Sequence, residues 1–321
     1  MRITLEETLR AAGGVMVIDG SMATVLEGLG CNLNHFLWTA KALELRPDLV
    51  KQVHLDYFRA GADCGITCSY QATIPGLKKA GLSAEEAEAL ITRSVTLFNE
   101  TREDWWESEG KAQKRAYPLC LAGVGSYGAY LADGSEYRGR YGVSKDTLHD
   151  FHARRMELLW DAGADLLLIE TQPSLSEALL EAEIAESLGA DYWVSFTCGS
   201  EAVTWEGDSI TDCARVLSAG HPHLKMIGVN CVKPAFVSGL IGNLRAGCDL
   251  PIGVYPNSGE TYDPITKTWS GGADGIRFED YACEWMKLGA AAVGGCCQTV
   301  ASHIEQVRAA RERFLGEKNN G

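Results

Sequence analysis

The chain has 321 residues, 46% of them hydrophobic, so it can bury a large core as one big domain or as two ordinary ones. Its formal net charge of −14 makes phosphate backbones and anionic membrane surfaces unfavourable partners, and we expect no binding to nucleic acid or to a membrane. A cationic or zwitterionic small molecule is a better match for this charge.

The N-terminal residues and the cysteines indicate a cytoplasmic protein. Acidic residues follow Met1 closely, where a signal peptide needs an uninterrupted apolar segment, and no apolar run is as long as a membrane span. The 11 cysteines are scattered without the spacing of a small disulfide framework, and reducing compartments leave such thiols free. The composition does not indicate an oligomeric state.

Short apolar runs alternate with helical segments along the chain. A glycine recurs at residues 60–63, 162–165, 188–191 and 288–291, each time between a helical segment and an apolar run, where it suits a left-handed helix cap. The apolar runs predict eight strands, at residues 15–18, 64–68, 119–123, 166–169, 193–197, 226–229, 252–255 and 291–294. Helices are predicted at residues 49–60, 84–106, 145–162, 175–188, 210–219, 234–245, 278–288 and 300–314.

Eight alternating strand and helix units predict an α/β fold, a single (β/α)8 barrel with its active site at the C-terminal ends of the strands. A doubly wound open sheet is the alternative. Because no linker or low-complexity segment divides the chain, residues 1–315 are expected to form one domain. Residues 316–321 are expected to be a frayed tail.

Three cysteines end predicted strands. Cys231 follows one apolar run, and Cys296 and Cys297 follow another after two glycines, which let the chain bend so that neighbouring side chains reach one point. Three thiolates at one end of a sheet suit a soft cation such as Zn²⁺ with its fourth position open. The alternative is a set of buried thiols or an oxidised pair.

An open fourth position indicates a catalytic metal site, because structural zinc is normally closed by four protein ligands. A substrate thiol is the natural fourth ligand, since zinc deprotonates it and leaves it nucleophilic, which predicts alkyl transfer to sulfur. Two other classes stay open: a zinc-dependent hydrolase of barrel type, which would need histidine and carboxylate ligands, and a non-enzymatic barrel with a zinc clasp.

A glycine-rich segment at residues 123–128 matches the dinucleotide-binding fingerprint G-x-G-x-x-G and follows a predicted strand. Residues 129–142 contain further glycines and no convincing helix whose N-terminus could hold a pyrophosphate. We interpret the segment as a loop at the mouth of the barrel.

Three motifs, around Asp19, Cys231 and the Cys296–Cys297 pair, resemble those of the homocysteine S-methyltransferase family, a family of zinc-dependent (β/α)8 barrels. The resemblance spans nearly the whole chain. It is closest to the branch that uses S-methylmethionine, through residues 69–73, 128–139 and 254–260.

The resemblance implies that Cys231, Cys296 and Cys297 bind Zn²⁺ and that the sulfur of homocysteine completes the tetrahedron. It also implies that Asp19 and Glu170 face the substrate ammonium group. The alternatives are that Asp19 only caps a helix and that Glu170 pairs with an arginine.

Further substrate contacts follow from the same resemblance. Backbone N–H groups around Gly20, Ser21 and Met22 would receive the substrate carboxylate, and Asn230 of the second motif is expected in the substrate site. A sulfonium donor carries positive charge, so Trp38 and Tyr70 are candidate donor contacts, with ordinary packing as the alternative.

The predicted activity is transfer of a methyl group from S-methylmethionine to the zinc-activated thiolate of L-homocysteine, which gives methionine. S-adenosylmethionine and betaine are alternative donors. Methylation of selenocysteine or selenohomocysteine is an alternative for the acceptor.

Overall fold

The computed structural model describes residues 2–263, 268–270 and 277–319. Eight parallel strands form one sheet in the order β1-β10-β7-β6-β5-β4-β3-β2. From β2 to β10, each strand of this sheet therefore lies beside the one that follows it along the chain, and β1 lies beside β10. The sequence of neighbours never reverses, as it would in a doubly wound sheet, and the predicted (β/α)8 architecture is confirmed. The strands are β1 (Met16–Val17), β2 (Cys64–Ile66), β3 (Leu119–Gly125), β4 (Leu166–Gln172), β5 (Tyr192–Phe196), β6 (Leu224–Asn230), β7 (Ile252–Tyr255) and β10 (Ala290–Val293).

A two-stranded antiparallel hairpin, β8 (Thr261–Asp263) and β9 (Thr268–Ser270), follows β7. The helices surround the sheet. They are α1 (Leu5–Ala11), α2 (Met22–Gly28), α3 (Thr39–Leu45), α4 (Pro47–Ala60), α5 (Ile74–Lys79), α6 (Ala84–Trp105), α7 (Tyr127–Leu131), α8 (Lys145–Asp161), α9 (Leu175–Leu188), α10 (Ile210–Ser218), α11 (Val237–Gly247), α12 (Phe278–Lys287) and α13 (Ala301–Asn319).

Two carboxylates join the ends of the strand order, where β1 meets β2. The N–H of Asp63 donates to the carbonyl of Val17 (2.8 Å), and the N–H of Val17 donates back to the Asp63 carboxylate (2.8 Å). Two residues after Val17, the Asp19 carboxylate accepts the N–H of Ile66 (2.9 Å). Side chains therefore replace backbone acceptors at this seam, and the barrel is nearly closed.

The core has two parts. Large side chains fill the barrel interior, and α1 contributes Leu5 and Leu9 to this cluster, so the helix plugs the N-terminal end of the barrel. The second cluster lies between the strands and the surrounding helices and is larger. The interior residues are Met16, Ile18, Cys64, Leu119, Leu121, Leu166, Leu168, Trp193, Met226, Tyr255 and Ala292.

The repeated glycines end helices as predicted, with φ of 125° at Gly61 and 98° at Gly163. The aspartates that follow two of them share a second role. Asp165 accepts the N–H of Cys120 (2.8 Å) and the N–H of Ile3 (3.1 Å), and it pairs with Arg102. Each aspartate thus links neighbouring chain segments at the N-terminal end of the barrel.

Two predicted details differ from the structure. Helix α13 continues to Asn319, so residues 316–319 are helical, because Leu315 packs close to Gly13 and Glu317 pairs with Lys287 (2.9 Å). Residues 320 and 321 lie outside the described part of the chain.

The glycine-rich segment at residues 123–128 runs from β3 into the short helix α7 instead of forming only a loop. The Glu177 carboxylate accepts the N–H of Tyr127 (2.6 Å), and Ser126 caps the helix. A carboxylate therefore lies where a dinucleotide would place its pyrophosphate. Within the described part of the chain, every helix is too short or too polar for a membrane span.

Candidate active site

Three cysteine sulfurs meet at the C-terminal end of the barrel. The Sγ of Cys231 lies 3.7 Å from that of Cys297 and 2.6 Å from that of Cys296. A tetrahedral site with bonds of about 2.3 Å to sulfur has edges of roughly 3.8 Å, so the first distance fits and the second is shorter. All three residues are half-buried free cysteines. They form the group of ligand atoms that the sequence predicts.

The loop after β7 holds the cysteines together. The N–H of Cys231 donates to the carbonyl of Tyr255 (3.3 Å), and the N–H of Cys296 donates to the carbonyl of Pro256 (2.7 Å). The N–H of Ser258 donates in turn to the carbonyl of Cys297 (3.2 Å). Because β7 lies between β6 and β10, this loop passes between the two cysteine segments and sets their separation.

A bulge in β4 aims Glu170. The register between β4 and β5 shifts between Ile169 and Gln172, and Thr171 has a φ of 58°. The Asn230 side chain spans this bulge, because its Oδ1 accepts the N–H of Thr171 (2.9 Å) and its Nδ2 donates to Thr171 Oγ1 (2.7 Å). Bulges at strand ends commonly redirect a side chain at an active site. Asn230 is fully buried, and its side-chain amide is hydrogen-bonded to Thr171.

Strained backbone occurs at other points of the same rim. Cys231 has a φ of 50° and Gln298 a φ of 63°, values that non-glycine residues rarely adopt. Such conformations cost about 1–3 kcal/mol each and occur mostly where function requires them.

Asp19 and Glu170 are both buried, at 2% and 5% exposure. Asp19 Oδ2 accepts the Ile66 N–H, whereas Oδ1 has no hydrogen-bond partner among the described residues. Glu170 accepts a hydrogen bond from the Tyr255 hydroxyl (3.3 Å) and takes part in none of the ion pairs of the described residues. Burial raises the pKa of both carboxyl groups well above its usual range, and the charge of nearby Cys296 raises both pKa values further.

Glycines make room for these carboxylates. A methyl group on Gly123 would lie 2.7 Å from Glu170 Oε1, and one on Gly65 would lie 3.1 Å from Asp19 Oδ2. Ser21, rather than Asp19, caps α2 by accepting the N–H of Thr24 (3.2 Å), so Asp19 is not a helix cap. The two carboxylates therefore project into the barrel mouth.

The thiols and carboxylates together form a strongly acidic site. Hydrogen bonds from Cys231 and Cys297 to the sulfur of Cys296 lower the pKa of the Cys296 thiol well below its ordinary value. A buried thiolate next to two carboxylates is costly unless a cation compensates for the charge. The donor set thus fits a soft metal ion together with a cationic group.

The predicted carboxylate-binding N–H groups lie at the start of α2. The N–H of Ser21 is engaged with Thr299, whose carbonyl and Oγ1 both lie 3.3 Å away. The Tyr57 hydroxyl donates to the Ser21 carbonyl (2.9 Å). Gly20 and Met22 consequently supply the backbone donors that stay candidates for the substrate carboxylate.

The predicted donor contacts lie together. The rings of Trp38 and Tyr70 pack edge to face with centroids 6.2 Å apart, and both residues are half-buried. Burial raises the pKa of the Tyr70 hydroxyl, and the charges of Glu136 and Cys231 raise it further. Tyr70 also packs against the end of β3, since a methyl group on Gly125 would lie 2.7 Å from its ring.

Sequence reasoning missed Glu136, Tyr137 and Trp205. The first two belong to a turn after α7, and the ring of Tyr137 packs edge to face on that of Trp205 (6.0 Å between centroids). Burial raises the pKa of the Tyr137 hydroxyl, and the charges of Cys231 and Cys297 raise it further. The motif at residues 128–139 contained the signal, but which of its side chains point inward depends on the fold.

Sequence reasoning also missed a buried cluster behind α7. His152 lies 3.0 Å from Glu177 and 2.8 Å from Glu181, and Arg155 lies 2.9 Å from His152. These side chains are at most 1% exposed. The arginine supplies the positive charge that a metal ion would otherwise bring, and the cluster supports the end of β3 through hydrogen bonds to Gly125 and Tyr127.

A barrel whose mouth holds three convergent thiols beside two buried carboxylates is an enzyme of thiol chemistry. The family model for homocysteine S-methyltransferase matches residues 16–311. Homocysteine S-methyltransferase YbgG of Bacillus subtilis is 45% identical over 92% of this chain and 94% of its own length. Homocysteine S-methyltransferase 1 of Zea mays is 43% identical over 94% and 96%.

Solved structures agree. The metallated form of the homocysteine methyltransferase MmuM from Escherichia coli is 40% identical and superposes with a TM-score of 0.84 over 94% of this chain and 99% of its own. The chain therefore belongs to the homocysteine S-methyltransferase family and is a methyltransferase acting on homocysteine. This membership replaces the alternatives of a barrel hydrolase and of a non-enzymatic zinc clasp.

Proposed function

We propose that this protein methylates L-homocysteine with S-methylmethionine and that Cys231, Cys296 and Cys297 hold a Zn²⁺ ion. The convergence of the three sulfurs carries the proposal. Thiolates favour zinc over hard cations, and three protein ligands leave one position for a substrate sulfur. When bound, the ion supplies Lewis acidity that makes a homocysteine thiol a thiolate at neutral pH.

The protein's own groups orient the acceptor. Asp19 and Glu170 pair with the homocysteine ammonium group, which provides the positive charge that these buried carboxylates lack. The N–H groups of Gly20 and Met22 bind its carboxylate at the start of α2. Asn230 acts indirectly on the substrate, because its hydrogen bonds to Thr171 hold the bulge that orients Glu170.

The reaction is a direct displacement. A lone pair of the acceptor sulfur forms a bond to the methyl carbon, the bond from that carbon to the donor sulfonium breaks, and its electrons neutralise the donor sulfur. The thiol proton goes to solvent, and both products are methionine. Because a neutral thioether leaves, no general acid is needed, and catalysis consists of alignment and exclusion of water. Trp38 and Tyr70 provide aromatic faces for the cationic donor.

The test compares metal content with turnover. We expect about one zinc per chain and methionine formation with S-methylmethionine faster than with betaine or S-adenosylmethionine. Cys297→Ala should lose zinc and lower turnover by more than about 100-fold, since even outer-shell partners of metal ligands cost 10–100-fold. Cys248→Ser, in a half-buried thiol away from the site, is the matched control.

Two outcomes would contradict the proposal. A Cys297→Ala variant that turns over normally without zinc would exclude the metal, and a faster reaction with betaine or S-adenosylmethionine would replace the donor. Selenohomocysteine and selenocysteine serve as further acceptors in the same assay. We also place the reaction in the reducing cytoplasm, where the 11 free cysteines stay reduced.

A further inference from the structure

Two loops meet beside the thiols and form what we call the outer wall, composed of Glu136, Tyr137 and Trp205. Glu136 and Tyr137 belong to a 3-10 turn (Ser135–Tyr137) in the loop after β3, and Trp205 lies in the loop after β5. The Tyr137 and Trp205 rings pack at 78° with centroids 6.0 Å apart. The wall thus joins segments from two different strands.

Two hydrogen bonds between Arg140 and Glu206, which we call the latch, hold the two loops together. The Glu206 carboxylate accepts the N–H of Arg140 (2.5 Å), and the Arg140 side chain donates to the Glu206 carbonyl (3.1 Å). The N–H of Glu206 donates to the carbonyl of Pro173, which follows β4 (3.0 Å). Gly139 has a φ of 67°, and a methyl group there would crowd Glu206 Oε1. The left-handed backbone therefore favours glycine at this position.

The turn that carries Glu136 folds tightly onto α7. A methyl group on Gly128 would lie 2.5 Å from the Glu136 nitrogen, so the two backbones are in contact. The N–H of Ser135 donates to Asp133 (3.0 Å), and Arg138 donates to Ser135 Oγ (2.9 Å). These contacts fix the backbone of the turn that carries Glu136 and Tyr137.

The wall borders the same space as the thiols and Tyr70. Thr197 donates to the carbonyl of Cys231 (3.3 Å), and Thr204, the neighbour of Trp205, pairs with Cys198 in a β-bridge. A methyl group on Gly125, at the end of β3, would lie 2.7 Å from the Tyr70 ring. Trp205 is 44% exposed, and Glu136 and Tyr137 are half-buried. The wall therefore lies on the same rim of the barrel as Cys231 and Tyr70.

We propose that the outer wall recognises the methyl donor, an inference that rests on the proposed function. Asp19 and Glu170 already match the single ammonium group of homocysteine, whereas S-methylmethionine brings a sulfonium and an ammonium group of its own. The Glu136 carboxylate pairs with the donor ammonium group, and the faces of Tyr137 and Trp205 contact the sulfonium. These residues set the affinity and choice of donor without touching the acceptor.

The experiment uses the zinc-loaded protein with homocysteine and S-methylmethionine. Glu136→Gln and Tyr137→Leu are expected to raise the KM for S-methylmethionine about tenfold and to weaken its binding by calorimetry equally. Tyr137→Phe keeps the ring and should stay near the wild-type value. The KM for homocysteine and the zinc content should not change, and Glu183→Gln, an exposed carboxylate on α9, is the control.

Each outcome decides between the two proposals. A wild-type protein that forms no methionine with any donor would refute the proposed function. An active wild type whose Glu136→Gln and Tyr137→Leu variants keep the donor KM would overturn this inference alone, as would a change confined to the homocysteine KM. If these variants melt early, Trp205→Leu replaces them, since Trp205 is more exposed than the other two wall residues, and the same criteria apply.

Discussion

Buried aspartates occur at both ends of the barrel, but Asp63 at the N-terminal end is paired with cations, whereas Asp19 at the C-terminal end is in none of the ion pairs of the described residues. Asp63 and Asp19 both bind a backbone N–H across the seam between β1 and β2. Asp63 also pairs with Arg311 and with Arg115 (3.4 Å). Asp19 has no arginine, and one of its oxygens lacks a hydrogen-bond partner in the described part of the chain. A buried aspartate is thus neutralised by arginines at one end of the barrel and lacks such a partner among the described residues at the other.

Removing Asp63 should have the largest effect. Asp63→Ala leaves Arg311 and Arg115 without their carboxylate and deletes the acceptor of the Val17 N–H, so we expect a loss of about 3–5 kcal/mol of unfolding free energy. Urea denaturation measures it. The kcat/KM of the folded fraction should be unchanged, and Asp48→Ala, which breaks an exposed ion pair, should have no measurable effect. A lower kcat/KM with unchanged stability would contradict the purely structural role of Asp63 at the N-terminal end.

Neutralising Asp19 should have the opposite pattern. Asp19→Asn keeps an oxygen for the Ile66 N–H but removes the charge, so we expect the homocysteine KM to rise roughly 10–100-fold, or about 1.5–3 kcal/mol. The melting temperature should change little, because no cation loses its partner. Asp191→Asn at the other end of the barrel is the kinetic control. An unchanged homocysteine KM would refute the role of Asp19.

The pH dependence of stability should come from the helical layer. His54 is buried against Phe58 and Phe98, and burial lowers its pKa to about 3. The unfolded chain therefore binds the proton first, and stability is lost as pH falls from about 6.5 towards 3, by at most about 1.4 kcal/mol per pH unit. Denaturation of wild type and His54→Phe at pH 7, 6 and 5 should show a steeper loss for wild type. Equal slopes would contradict this assignment.

The smallest effect is expected at the plug of the barrel. Thr4 caps α1, and its capping box with Glu7 satisfies the first N–H groups of the helix. Thr4→Ala should cost about 1 kcal/mol of stability by denaturation, because a helix N-cap has that value. Turnover should stay the same, since α1 lies at the opposite end from the thiols. A change in kcat would show that the two ends are coupled.

The features that could be predicted from the sequence depend on local pattern and on the rules of parallel sheets. Glycine caps and apolar runs located the eight strands, and the carboxyl ends of parallel strands meet, which brought Cys231 to Cys296 and Cys297 across 65 positions. The short helices α1, α3, α5 and α7 were missed, because five to seven residues give too little periodicity.

The remaining parts of the site depend on contacts that no local pattern contains. The bulge that aims Glu170 is held by Asn230, 59 positions away. The ring of Tyr137 meets Trp205 only because Arg140 and Glu206 latch two loops together. Asp63 also has a partner far away in the sequence, since Arg311 lies 248 positions further along the chain. Such pairings arise when the barrel closes.

The seam between β1 and β2 has a consequence for aggregation. A sheet that does not close presents two unpaired edges, and exposed edges pair with those of other chains. Here the edge strands contain two and three residues, and the carboxylates of Asp63 and Asp19 occupy N–H groups that a foreign strand would bind. Asp19 therefore occupies a donor at an edge of the sheet, and we expect substitutions at Asp19 that remove this acceptor to lower solubility.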